Sequence, residues 1–301
     1  MRTEVKKDQR DHAWFPKEFT DKTITKAVED NVKRKQFRIN DVVMVDNIPL
    51  FSWVELNINE LCNRSCVFCP RNEGYPNTNV HMEVALAETI ATQLDDLKFR
   101  GIVNISGTGE PLLTKHVADI VKPFGDRNIQ IEITTNGDKL KPKLIKDLYK
   151  AGLTQLVVSM YDGPEQIDHF TDLFKESGIR RDLYTLRDRW YDEEDDYGLM
   201  YTNRAGALGS NLPSPKKGAC YYPHYTIFID WNGEILLCCH DMYNRTETFG
   251  NVNDLPLLEL WKNQRLTHFR KKLKNGDRSE SPCNNCSANG VVLGKFHAEK
   301  W

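Results

Sequence analysis

The stretch FSWVELNINELCNRSCVFC (residues 51–69) decides how the rest of the chain is read. Its first half alternates apolar side chains at Val54, Leu56 and Ile58, with Trp53 beside them, in the period of a β-strand. Its second half carries Cys62, Cys66 and Cys69. A strand therefore runs straight into a cysteine loop. The next segment, MEVALAETIATQLDDLKF (82–99), repeats apolar residues at three- and four-residue steps and predicts a helix. The strand GIVNIS (101–106) and the glycine turn GTGEP follow. The same order recurs with KHVADIVKPFGDRN as helix, IQIEITT as strand and NG as turn, then PKLIKDLYKAG as helix and LTQLVVSM as strand, ending in YDGPEQ. A fourth helix, EQIDHFTDLFKESG, and a fifth strand near DLYTLRDRW complete a series with a period of about 27 residues.

Strands alternating with helices imply right-handed βαβ units and a parallel sheet, with the C-terminal strand ends on one face. The repeats are too few for an eight-unit barrel. The expected fold is therefore α/β, with a partial (β/α)6-type parallel barrel over residues 46–205. Ligands bind at the C-terminal strand ends in such folds, so function belongs on CNRSCVFC, GTGEP, TNG and YDGPEQ. Residues 1–45 are polar and basic-leaning and form a lead-in or cap, with an amphipathic helix over 21–37. Residues 206–301 have a different character. GSNLPSPKKGA reads as a linker, CYYPHYTIFIDWNGEILLCC as a hairpin turning at Asn232-Gly233, and LLELWKNQRLTHFRKKLKNG as one amphipathic helix packing on this small second domain.

With 41 Lys and Arg against 43 Asp and Glu, no global field favours nucleic acid. No apolar run approaches the roughly 18 residues of a membrane helix, and no export signal opens the chain, so a cytoplasmic protein is expected. In a reducing compartment the eight cysteines point to metal or redox chemistry more than to disulfides. Three thiolates spaced C-x3-C-x2-C suit three irons of a [4Fe-4S] cluster and leave the fourth iron to another ligand. Zinc prefers four protein ligands, or three plus water, and fits this spacing poorly. Cys220, Cys238, Cys283 and Cys286 combine a hairpin with a C-x2-C turn, and by themselves suit a zinc ribbon as well as a second cluster. Cys239 points away from its neighbour Cys238 across the strand and reads as a small buried apolar residue.

CNRSCVFC, with the aromatic Phe68 before its last cysteine, resembles the signature of radical S-adenosylmethionine (SAM) enzymes. The resemblance implies a [4Fe-4S] cluster on Cys62, Cys66 and Cys69, with the SAM amino and carboxylate groups on the fourth iron. It implies cleavage of SAM to a 5′-deoxyadenosyl radical that takes hydrogen from substrate. Thr108, Gly109 and Glu110 resemble the family's GGE motif, with Thr in place of the first Gly. Together with Phe68, Asn136 and Ser159 they are the implied SAM contacts. The spacing Cys220-x12-Gly233-x4-Cys238, followed by Cys283-x2-Cys286, resembles the twitch domain, a short relative of the SPASM domain. That resemblance implies an auxiliary [4Fe-4S] cluster on these four cysteines, two clusters in all, and an electron donor such as flavodoxin or ferredoxin.

An auxiliary cluster with four cysteine ligands has no open iron for substrate and suits electron acceptance, which favours net oxidation. The expected substrate is a small sugar- or cyclitol-like molecule, because about 50 residues before the first strand are too few for a leader-recognition domain of peptide maturases. A peptide- or protein-modifying maturase is the alternative, and a zinc-binding interaction module is the non-enzymatic one. Tyr161, after the fourth strand, and Arg204, between the two domains, are candidate substrate contacts. The acidic run Asp192–Asp196 reads as a solvated loop.

Overall fold

The structure is a computed structural model and describes residues 26–190, 201–209 and 214–301. The acidic run Asp192–Asp196 and part of the linker lie outside the described residues. Helix α1 (Lys26–Ile39) is followed by a ribbon of β1 (Met44–Val45) and β2 (Ile48–Pro49). The repeat series then runs β3 (Trp53–Leu56), α2 (Val84–Asp96), β4 (Ile102–Ile105), α3 (Val117–Asp126), β5 (Gln130–Thr135), α4 (Pro142–Lys150), β6 (Gln155–Met160), α5 (Gln166–Glu176) and β7 (Tyr184–Asp188). The C-terminal third holds α6 (Tyr222–Tyr225), β8 (Thr226–Ile229), β9 (Glu234–Leu236), β10 (Thr248–Asn251), α7 (Leu257–Trp261), α8 (Gln264–Lys274) and α9 (Lys295–Lys300).

Eight strands form one open sheet in the order β10-β9-β8-β3-β4-β5-β6-β7. From β8 to β7 all six are parallel, while β9 and β10 are antiparallel additions. This is the expected partial barrel with six parallel strands. The predicted hairpin is β8 and β9, but its first strand does not belong to a separate sheet. β8 lies parallel to β3, from Trp53↔Thr226 to Leu56↔Ile229. Both strands are buried along their whole length, as strands covered on two faces must be.

One sheet face carries Val54, Leu56, Val103, Ile105, Ile131, Ile133, Leu156 and Val158, which share a single core with Leu86, Ile90, Ile120, Phe124, Ile145 and Phe174 of the helices. The alternate residues face the barrel interior and include a polar row: register places Glu55, Asn104 and Glu132 side by side. Glu55 accepts from Trp53 Nε1 (2.7 Å), Asn104 Nδ2 (2.5 Å) and Ser106 Oγ (2.9 Å). The lead-in helix closes on this polar face. Arg34 pairs with Glu132, and Lys35 Nζ lies 3.8 Å from Glu55 and 4.2 Å from the Trp53 ring centroid.

The single helix predicted over 257–276 is two, α7 and α8. Asn263 breaks it by accepting hydrogen bonds from the Arg265 and Leu266 backbone N–H groups, a side-chain cap that starts a new helix. Among the described residues no helix is long and apolar enough to cross a membrane.

Candidate cluster and cofactor site

The cysteine loop leaves β3 and folds around the buried side chain of Arg71. Arg71 donates to the carbonyls of Thr108 (3.0 Å), Pro76 (2.9 Å) and Glu60. Asn77 fastens the start of the loop, accepting from Cys62 N (2.8 Å) and donating to Cys62 O (3.0 Å). Cys69 N donates to Cys66 O (2.9 Å), and Cys69 then opens the 3₁₀ turn Pro70–Glu73. Burial, followed by the nearby thiols of Cys69 and Cys62, pushes Cys66 up to about 12. Burial likewise raises Cys62. Thiols such as Cys62 and Cys66 that resist ionisation alone become stable thiolates once a cation joins them, which is the chemistry iron supplies.

The three later loops meet this one. Thr108 Oγ1 accepts from Asn57 Nδ2 (3.2 Å), and Thr108 N donates to Asn57 Oδ1 (3.2 Å). Gly109 has no room for a side chain, since a Cβ there would lie 1.6 Å from Asn59 Oδ1. Glu110 is buried, and its carboxylate accepts from Leu112 N (3.0 Å), Thr135 Oγ1 (2.6 Å) and Asn136 N (2.8 Å). It thus fastens the loop after β4 to the loop after β5, and what the 107–109 turn presents outward is backbone. Asn136 reaches Asn63 of the cysteine loop through Nδ2 (3.0 Å).

Arg64, inside the cysteine octapeptide, was not singled out by sequence reasoning. It forks onto two carboxylates, Asp138 after β5 (2.6 and 2.7 Å) and Asp162 after β6 (2.6 and 2.7 Å). The fork holds Asp162 below the usual carboxylate range. Tyr161 lies beneath it, its ring centroid 5.3 Å from the Arg64 guanidinium and 6.0 Å from the Phe68 ring. Burial pushes the Tyr161 hydroxyl up to about 12, while Ser159 hydrogen bonds to it. Phe68, Tyr161 and Ser159 are therefore one packed unit against the cysteine loop.

Cys220, Cys238, Cys283 and Cys286 line one small common cavity. Cys239 is not in its wall and packs against the cluster of Phe228, Leu236, Met242 and Tyr243, in line with the apolar role expected for it. The thiols surround a space and do not converge on a point: among the described residues no three His, Cys, Asp or Glu side chains are placed to hold a single metal ion. Burial raises all four thiols, Cys220 to about 11. Arg278, also in the wall, donates to Gly218 O, Ala219 O and Ala288 O, each at 2.9 Å, and joins the segment before Cys220 to that after Cys286. Its charge offsets that of thiolates at Cys220, Cys283 and Cys286. Gly290 fits against Cys220 so closely that a Cβ would lie 2.3 Å from its Sγ. Arg204 stands at the junction, in a left-handed conformation (φ 50°), its buried Nε unpartnered among the described residues and its charge felt by Cys239, His240 and Tyr243.

Residues 56–184 match the radical SAM superfamily, and residues 220–287 match the SPASM iron-sulfur cluster-binding domain. The chain belongs to the radical SAM family, as an oxidoreductase with a C-terminal SPASM domain whose chemistry uses S-adenosylmethionine and iron-sulfur clusters. It is 30% identical to the S-adenosyl-L-methionine-dependent 2-deoxy-scyllo-inosamine dehydrogenase of Niallia circulans, over 79% of this chain and 93% of that protein. The crystal structure of BtrN in complex with AdoMet and 2-DOIA superimposes with a TM-score of 0.68 at 27% identity, covering 83% of this chain and 98% of that one. A shorter similarity, 36% identity over 36% of this chain and 34% of the relative, links it to a GTP 3′,8-cyclase of Thermodesulfovibrio yellowstonii.

Proposed function

We propose that this chain oxidises an alcohol carbon of a small sugar- or cyclitol-like molecule. The observation that carries the reading is the similarity to a cyclitol dehydrogenase over 93% of that protein's length, beside family matches that span both cysteine regions. Cys62, Cys66 and Cys69 would hold one [4Fe-4S] cluster, and Cys220, Cys238, Cys283 and Cys286 the other; buried thiols that need a cation, and four of them around one cavity, fit those groups. When bound, the first cluster with SAM supplies a 5′-deoxyadenosyl radical and the second supplies an electron acceptor.

The chain's own residues bind, orient and exclude water. Phe68, the backbone at Thr108 and Gly109, Asn136 and Ser159 form the SAM contacts, and Glu110 keeps the loops after β4 and β5 together. The Arg64 fork on Asp138 and Asp162 keeps three loops in fixed relation around the radical's position. Tyr161 and Arg204 are the substrate contacts at the loop face. Deeper in the barrel, Glu55, Asn104 and Ser106 offer the hydroxyl-binding groups a polyol needs, and α1 closes this end against water. Electrons come from a flavodoxin- or ferredoxin-like donor in the cytoplasm.

The deciding experiment reconstitutes the protein anaerobically and incubates it, reduced and with SAM, with deuterium-labelled cyclitols and sugars. Deuterium in 5′-deoxyadenosine supports the reading, and deuterium arriving only from a labelled peptide rejects it. A second check concerns cluster number. Gly290→Ala displaces the Cys220 thiol, so iron per chain should fall by about half, from two four-iron clusters to one, with SAM cleavage retained. Unchanged iron would mean that Cys220 is not a ligand.

A further inference from the structure

The segment after Cys238 and Cys239 crosses from the C-terminal cavity to the first cysteine loop. Asp241 caps its return, accepting from Thr246 N and Glu247 N at 3.1 Å each. Arg245 locks it down, donating to Asp230 (2.6 Å), the Tyr75 hydroxyl (2.7 Å) and Glu60. Between these anchors Tyr243 is buried, its ring edge-on to Tyr75 at 4.9 Å and its hydroxyl 3.4 Å from Cys69 Sγ. A tyrosine hydroxyl keeps its proton at neutral pH, its ordinary pKa being about 10. An iron-bound cysteine is a thiolate and has no proton to give, so in the loaded protein Tyr243 donates and Cys69 accepts. Hydrogen bonds to cluster sulfurs stabilise the more negative, reduced form and raise its potential.

We propose that Tyr243 is a positioning residue that raises the reduction potential of the cluster on Cys62, Cys66 and Cys69, and so makes electron uptake there depend on the seating of the segment that carries Cys238. The inference rests on Cys69 being a cluster ligand, as in the function proposed above.

The test compares reconstituted wild type, Tyr243→Phe and Tyr75→Phe by redox titration followed by electron paramagnetic resonance, taking the SAM-responsive signal as that of the first cluster. Tyr243→Phe should keep its iron and its SAM response. At a fixed ambient potential it should hold about tenfold less reduced cluster, a midpoint lower by about 59 mV for one electron. Tyr75→Phe retains the ring that packs on Tyr243 and should titrate as wild type. An unchanged midpoint in Tyr243→Phe overturns the proposal. So does an equal shift in Tyr75→Phe, since that variant keeps the Tyr243 hydroxyl and its bond to Cys69 would then not be the cause. Should Tyr243→Phe load poorly, 3-fluorotyrosine at this position is a stronger donor in the same packing and should raise the midpoint; no rise overturns the proposal. A SAM-responsive signal that survives in Cys69→Ala instead overturns the ligand assignment itself.

Discussion

Cys66→Ala is expected to lower reductive cleavage of SAM to 5′-deoxyadenosine by more than about a hundredfold, since even groups that only support a metal ligand cost 10- to 100-fold when removed. Cys283→Ala should leave that cleavage within a fewfold of wild type and abolish oxidation of substrate. The split follows from where the thiols stand. Cys66 shares a loop and a mutual field with Cys62 and Cys69, whereas Cys283 lines the separate cavity with Cys220, Cys238 and Cys286. Both activities are read from one dithionite-reduced incubation, by chromatography of 5′-deoxyadenosine and of the product. Equal loss of cleavage in the two variants would defeat the assignment of two independent cysteine sets.

Arg270→Ala is expected to reduce the unfolding free energy by about 4 kcal/mol or more, counting at least about 1 for each of the two carbonyls left without a donor and about 2 for lost ring contacts. Arg270 is 1% exposed and lies between two indoles, 3.7 Å from the Trp261 ring centroid and 3.9 Å from that of Trp301. It donates to Pro223 O and Trp261 O, each at 2.7 Å. Pro223 lies just beyond Cys220, so this residue fixes the backbone that presents the thiol. Urea unfolding of the apoprotein measures the effect. Arg270→Lys should recover part of the hydrogen bonding but not the flat sandwich, which needs a planar cation. A loss below 1 kcal/mol in Arg270→Ala would show that Pro223 and Trp261 find other donors.

Arg270 also marks where sequence reasoning stopped. It belongs to a run that reads as the basic, solvated face of a helix, and period alone cannot say that Trp261 of the same run and the distant Trp301 cover one of those charges. The alternating elements β3 to β7 and the cysteine loop were legible, because apolar period and turn chemistry are local properties. The partner of β8 was not: its pattern says that both faces are buried, not which strand lies beside it. The same holds at the site. Cysteine spacing is visible in the chain and matches the cavity that unites four of them, but Arg64, Arg278 and Tyr243 act through residues 74, 60 and 174 positions away. Arg64 alone offered a hint, a cation placed between two cysteines. Glu110 shows a subtler limit: its motif position was readable, whereas its engagement by three donors of its own and the neighbouring loop was not.

The place of β8 beside β3 has a consequence for how the molecule comes into being. Asn57, at the end of the first barrel strand, bonds Asp230, 173 residues later in the chain. As the ribosome delivers the N-terminal part, β3 is a bare edge until the last third has emerged, and pairings so distant in sequence close slowly. Throughout that interval the loop bearing Cys62, Cys66 and Cys69 lacks the cover of Tyr243 and Arg245. The assembly order built into this topology is therefore the cysteine loop first and the segment of Tyr243 and Arg245 last, so Cys69 gains its tyrosine neighbour only when most of the chain has been made.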